Sequence, residues 1–272
     1  MNTASTSTSL LQNKRAVIFG AGGAVGTAVA KEFASQGATV FLSGRKLAAI
    51  EKVAQEIRQD GGVAYAAEVD ALDEQAVNAY LEERVVQEGE SIDILLNAMG
   101  PQAKDYGNGT STLELPLEQY LLPLSTLVPS QFITARAAAR HMIRQHSGVI
   151  LFVTAIPVRG SASATAISSA FGAMESLLRC LAMDLGPTGV RVVGIRSGAM
   201  AETRTIQQSV ENTARRLAIS KEQVVSMFEQ RSLLKRLSSV DDTARLAAFL
   251  ASDGARTLTG AILNASSGSV ID

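Results

Sequence analysis

Arg15-Ala16-Val17-Ile18-Phe19 runs without a polar break into Gly20-Ala21-Gly22-Gly23-Ala24-Val25-Gly26, and this junction constrains the chain more than any other stretch. A continuous apolar run suits a strand of a parallel sheet, because helices cover such a sheet on both faces. Val25, Ala28, Val29 and Phe33 then fall at helical spacing, so the glycines predict a tight turn feeding a helix N-terminus. There, unpaired backbone N–H groups and the positive end of the helix dipole favour a diphosphate. Gly20, Gly22, Gly23, Ala24, Val25 and Gly26 are the residues that would cradle it, the glycines removing any Cβ between phosphate and main chain. The plainer alternative is a strand-to-helix turn that is merely rich in glycine.

The same alternation continues. Ala38–Ser43 reads as a second strand after Gly37, and Leu47–Gln59 as a helix. Val63–Val69 forms a third strand with Asp70 at its end, Asp73 opens a helix running to about Glu88, and Ile92–Leu96 is a fourth strand ending in Asn97-Ala98-Met99-Gly100. A long helix over Leu117–Gln145 carries Pro123 and Pro129 early. Val149–Val153 and Val190–Ile195 read as strands flanking a helix that continues to Leu185, with Val240–Ala251 a last helix and Ala261–Asn264 a last strand. Short connections in a βαβαβ order predict an α/β fold with a doubly wound parallel sheet, a single domain over 14–272. Residues 1–13, Ser/Thr-rich at the start, read as a disordered tail. The amphipathic, polar stretch 199–235 reads as a substrate lid.

Ligands in such sheets sit beyond the C-terminal strand ends. The second strand ends in Gly44-Arg45-Lys46 with no carboxylate to hold a ribose 2′-hydroxyl, and Arg45 is suited to a 2′-phosphate. NADP(H) is therefore expected over NAD(H), the alternative being that Arg45 is a solvated charge opening the next helix. Several function classes receive no support. A formal net charge of −1 gives no electrostatic reason to expect nucleic acid or an anionic membrane as partner, and there is no run of eighteen apolar residues. Cys180 is the only cysteine, so neither an intrachain disulfide nor a cysteine metal cluster is expected, and no metal site is. The start lacks the charged and apolar regions of a signal peptide, so a cytoplasmic location is expected.

Taken together, the motifs resemble the short-chain dehydrogenase/reductase family over nearly the whole chain. The glycine motif falls on Phe19 to Gly26, with Phe19 for the usual Thr and Ala24 for the middle Gly. Asp70 matches the family's adenine-contacting Asp, and Asn97-Ala98-Met99-Gly100 is a half-retained NNAG motif. Gly189-Val190-Arg191-Val192, Ser197-Gly198 and Phe249 to Gly260 are similar to later family segments. The resemblance implies a Rossmann-like fold and cofactor contacts from Asp70, Asn97, Ala98 and Gly100. It also implies a Thr203 contact near the nicotinamide amide or diphosphate, and a homo-oligomer, tetramer or dimer, built on the long helices.

The family's catalytic residues do not carry over. Its Tyr and Lys positions fall on Ile167 and Phe171, and its helix Asn on Leu127. Its Ser position falls on Ala155 or Thr154, depending on which flank sets the spacing. No lysine lies between Lys104 and Lys221, so a shifted alignment cannot restore the motif. General acid–base help is worth ~10²–10⁴ in rate, whereas positioning alone supplies ~7–11 kcal/mol. Reduction of an acceptor that needs no proton on oxygen therefore remains open. Thr154, Ser168 and Tyr106 are the candidate catalytic side chains, with Arg159 and Arg196 as possible anion contacts. His141 and His146, late on the long helix, read as surface residues. The expectation is an atypical NADP(H)-dependent reductase of a small-molecule substrate. The alternatives are an NADP(H)-binding regulator or partner subunit without redox turnover, or an isomerase or lyase reusing the pocket.

Overall fold

A computed structural model describes residues 9–86 and 91–271. Seven parallel strands lie in the order β3-β2-β1-β4-β5-β6-β7, with β1 at Arg15–Phe19, β2 at Thr39–Gly44, β3 at Val63–Glu68, β4 at Ile94–Asn97, β5 at Gly148–Ala155, β6 at Val190–Ser197 and β7 at Ile262–Ala265. The helices are α1 (Ala24–Ser35), α2 (Leu47–Gln59), α3 (Glu74–Tyr80), α4 (Leu117–Gln145), α5 (Thr165–Leu185), α6 (Arg204–Leu217), α7 (Lys221–Arg231) and α8 (Val240–Ala251).

The continuous apolar strands divide by the two-residue pleat. Ala16, Ile18, Val40, Leu42, Ile94 and Leu96 join the core under α1, α2 and α8. Val17, Phe19, Phe41, Leu95, Ile150 and Phe152 join the core under α3, α4 and α5. Because β1 pairs with both β2 and β4, the strand order reverses at its C-terminal end, where the glycine turn begins.

Several boundaries differ from the sequence expectation. The tail expected over 1–13 is too long: Leu11 is fully buried in the α1 core and its N–H donates to Gln36 O at 2.9 Å, so packed chain begins before residue 14. Residues 1–8 lie outside the described residues. The helix opened by Asp73, whose Oδ1 accepts from Gln75 N and Ala76 N, gives way to a π-turn at Leu81–Val86, and its expected end near Glu88 falls outside the described residues. Ile92 precedes β4 because its N–H donates to the Gln145 side chain instead of the ladder. His141 is buried, with Nδ1 at 2.8 Å from Arg144 Nη2 and Nε2 at 3.3 Å from Glu82, because α4 presses it against the α3 region. The stretch 199–235 holds two helices, α6 and α7, joined through Val210, Ala214 and Val224. Among the described residues no helix is long and apolar enough to cross a membrane.

Candidate functional site

The residues expected to hold a nucleotide begin at the glycine turn. Gly23 caps α1 without any side-chain hydrogen bond and the first turn holds no acid, so the helix's N-terminal N–H groups have no competing side-chain acceptor there. The glycines divide into two sets. A Cβ on Gly20, whose φ is +73°, would meet Met99 N at 2.6 Å, and one on Gly26 would strike Gly20 O, so the fold itself requires these two. A Cβ on Gly22 or Gly23 would meet nothing closer than 3.3 Å, the Ala49 Cβ, which leaves that part of the turn open to a ligand. Ala24 and Val25 begin the helix, and Val25 also lines the cleft described below.

Adjacent strand ends bring the other residues expected at the nucleotide close. Ala21 N donates to Ser43 O and Val69 N to Gly44 O, so the turn, Arg45 and Asp70 share one edge of the sheet. Arg45 and Lys46 are exposed there, and neither makes an ion pair among the described residues. Asp70 accepts from Leu72 N at 3.0 Å. Asn97 is more committed: its Nδ2 donates to Thr134 Oγ1 at 3.2 Å, its Oδ1 accepts from Met99 N at 2.9 Å, and its carbonyl accepts from Gln131 Nε2 at 2.7 Å. Thr203 caps α6, accepting from Ile206 N and donating to Met200 O at 2.8 Å.

A cleft of about 560 Å³ opens beside this edge, lined by Asn97, Ala98, Gly100, Thr203, Thr154 and Tyr106 among others. Its floor comes from α5, where Ile167, Phe171 and Met174 stand at i, i+4 and i+7 on one helical face, opposite Leu127 of α4. Thr154, at the end of β5, donates from Oγ1 to Glu175 Oε1 at 3.1 Å. Glu175 is held in turn by Arg196, Nε to Oε1 at 3.0 Å and Nη2 to Oε2 at 2.9 Å, and both residues are about 95% buried. The Thr154 proton is therefore directed into a carboxylate behind the cleft wall. Arg196, a candidate anion contact in the sequence, is an ion-pair partner of that carboxylate.

Tyr106, in the loop after β4, is buried rather than exposed, because the 3₁₀ turn Ala103–Tyr106 packs it against the α4 core. Burial pushes its phenol up to about 12, with a hydrogen bond to the Thr205 side chain pulling the other way. Such a phenol keeps its proton at neutral pH. Ser168 is not brought to the cleft: its Oγ donates to Pro157 O at 2.7 Å, and it lies off the cleft-lining face of α5.

Sequence reasoning missed several lining residues. Gln131, one turn after Leu127, is buried on the cleft side of α4 and was signalled only by being polar within an apolar helix face. Thr205, Ser209, Asn212, Thr213 and Arg216 form a stripe on α6, and Arg231 follows from α7. Among the described residues Arg216 and Arg231 are the only charged side chains lining the cleft.

Comparison with known proteins gives one consistent family of matches. A family model described as enoyl-(acyl carrier protein) reductase matches residues 20–269. The 7alpha-hydroxysteroid dehydrogenase of Escherichia coli (strain K12) is 31% identical over 261 residues, covering 96% of this chain and 95% of that protein. The L-rhamnose 1-dehydrogenase (NAD(P)(+)) of Azotobacter vinelandii is 32% identical over 260 residues, covering 93% and 95%. The crystal structure of NAD+-bound xylitol dehydrogenase superposes with a TM-score of 0.87 at 26% identity, covering 95% of this chain and 99% of that one.

Proposed function

The chain belongs to the short-chain dehydrogenase/reductase family of NAD(P)-dependent oxidoreductases, and on that premise we propose that it is an NADP(H)-dependent reductase with a non-standard active site. The observation that carries the proposal is the apolar stripe Ile167, Phe171 and Met174 on the cleft floor, where the family's pattern would put a tyrosine and a lysine. The uncapped N-terminus of α1, the open Gly22–Gly23 segment and the exposed Arg45 fit a dinucleotide diphosphate and its 2′-phosphate. When bound, NADPH supplies the hydride.

The chain's own residues decide which acceptor can use it. An apolar floor gives no support to a developing alkoxide, and such electrostatic support is usually a large catalytic term. Thr154 has directed its proton to Glu175, and the Tyr106 phenol is too weak an acid to replace an activated one. An iminium carbon takes the hydride and becomes a neutral amine, whereas a conjugated acceptor takes it at Cβ, spreads the charge as an enolate and collects its proton at Cα from water. Neither uses a protein acid at oxygen, and Thr154 then serves only to orient the acceptor.

The test is NADPH consumption against a panel of simple ketones and aldehydes beside a panel of enones and cyclic imines. Turnover is expected on the second panel and negligible on the first. Ile167→Tyr with Phe171→Lys together should raise ketone activity. Robust ketone reduction by the unmodified protein overturns the proposal, and Tyr106→Phe and Thr154→Ala then identify the proton source. A second reading, an NADP(H)-binding protein without redox turnover, draws on the same shortage of an acid in the cleft. NADPH affinity with no turnover on either panel would favour it.

A further inference from the structure

The cleft has a one-sided charge pattern that the hydride chemistry does not use. Among the described residues its lining contains no aspartate, glutamate, lysine or histidine, and its only ionic side chains are Arg216 and Arg231. Both are exposed, and neither has an ion-pair partner among the described residues. Their neighbours are engaged: Lys221 pairs with Glu211, Arg236 with Asp242, and Arg215 donates to Asn212.

Helix α6 arranges a path to this pair. Thr205, Ser209, Asn212 and Arg216 recur every three or four residues and all face the cleft, while Val210 and Ala214 turn away to hold α7. Arg216 lies eleven positions after Thr205, so at 1.5 Å per residue the row extends ~16 Å along the cleft, with the exposed Arg216 at its far end. Across from it lie Ile167, Phe171 and Met174. A molecule filling this space has an apolar body between the α5 floor and the α6 row, and meets two guanidiniums at its outer end. Guanidinium forks match a planar oxyanion and repel a cation.

We infer that the cleft takes an elongated, mainly apolar substrate ending in an oxyanion, a carboxylate or phosphate held at the mouth by Arg216 and Arg231. The inference names a substrate class for the site proposed above and rests on that reading. It also ranks the acceptors, because two arginines disfavour a ligand with net positive charge, so a conjugated acceptor carrying a remote oxyanion is preferred over a simple iminium ion.

Binding separates this inference from the reductase proposal. Dodecanoate, dodecyl phosphate and dodecylammonium, each below its micelle concentration, are titrated calorimetrically into the full chain with and without saturating NADPH, which keeps the anions from the diphosphate site. Both anions are expected to bind at least tenfold tighter than the cation. A preference between them identifies the head group. Arg216→Gln and Arg231→Gln should each weaken dodecanoate about three- to fivefold, as exposed charge contacts do. The double variant should weaken it about tenfold or more, with dodecylammonium unchanged or improved. Both side chains are exposed, and unchanged melting confirms that the variants fold. Equal binding of anion and cation, or unchanged dodecanoate affinity in the double variant, overturns the inference. NADPH turnover on a neutral enone is measured alongside. Its loss in the unmodified protein counts against the reductase reading alone and leaves the anion result standing.

Discussion

Arg196→Met removes one half of the buried pair behind Thr154, and its cost can be worked from the geometry. Among the described residues Glu175 loses the 3.0 and 2.9 Å bonds from Arg196 and keeps the Thr154 hydroxyl at 3.1 Å and a 3.5 Å contact from Arg179, whose side chain is 55% exposed. Breaking a buried ion pair on one side costs about 3–5 kcal/mol, because a desolvated charge is left behind. The remaining partners offset part of this, which sets the expectation near 3 kcal/mol. For a chain of this size that corresponds to a melting point about 5 °C lower. Glu175→Leu combined with Arg196→Met leaves no orphaned charge and should cost less than Arg196→Met alone. Urea unfolding at fixed protein concentration gives the double-mutant cycle directly. A single-variant loss below about 1 kcal/mol, or strictly additive costs in the cycle, would refute the reasoning that the carboxylate depends on Arg196.

Three other expectations can be checked in solution. Arg45 is exposed beside the glycine turn, so NADPH should bind at least several-fold tighter than NADH and Arg45→Ala should narrow the gap; equal affinities in a fluorescence titration would sink this. Burial chiefly, then Arg144, holds His141 below the ordinary imidazole range, with Glu82 pulling upward and Arg140 again downward. The unfolded chain therefore takes up the proton first. Stability from this residue is complete above about pH 6.5 and is lost as pH falls toward the folded value. His141→Gln should flatten that part of the melting-point profile, and an unchanged slope would show that other groups set it. The exposed Phe132 of α4 and Met183 of α5 are consistent with helix packing between subunits, so light scattering at micromolar concentration should report a dimer or tetramer instead of a monomer.

What could be read from the sequence was what local periodicity encodes. The β1–glycine–α1 junction was legible because a buried strand, a turn and a helix start all leave marks within a dozen residues. Ile167 and Phe171 were found by counting along the family motif and not by periodicity, and Met174, on the same face of α5, was not singled out. Ser168 misled because adjacency in sequence is a ~100° rotation on a helix, which carries its hydroxyl to Pro157. The α6 row went unread because a polar helix face ordinarily faces solvent, and nothing local tells that it faces a cleft. Glu175 and Arg196 meet across 21 residues, and of the adjacent Leu10 and Leu11 in an otherwise polar stretch the α1 core covers only Leu11. Such contacts are decided by tertiary packing, which periodicity does not report.

The central position of β1 also bears on how the chain is made. Its neighbour on one side, β2, follows at once, but on the other side Arg15 waits for Asp93, 78 residues on. Until Ile94–Asn97 has left the ribosome, one edge of an apolar strand stands unpaired, an open template for strand addition by another chain. A chain stalled or cleaved before that point is the aggregation hazard of this fold, and closure of the seam is a long-range, slow step. The same seam divides the ligand edge by order of synthesis. The glycine turn, Arg45 and Asp70 exist before it closes, whereas Thr154, the α5 floor, Thr203 and the α6 row arrive only afterwards, so a nascent chain holds the first half of this edge well before it has a cleft beside it.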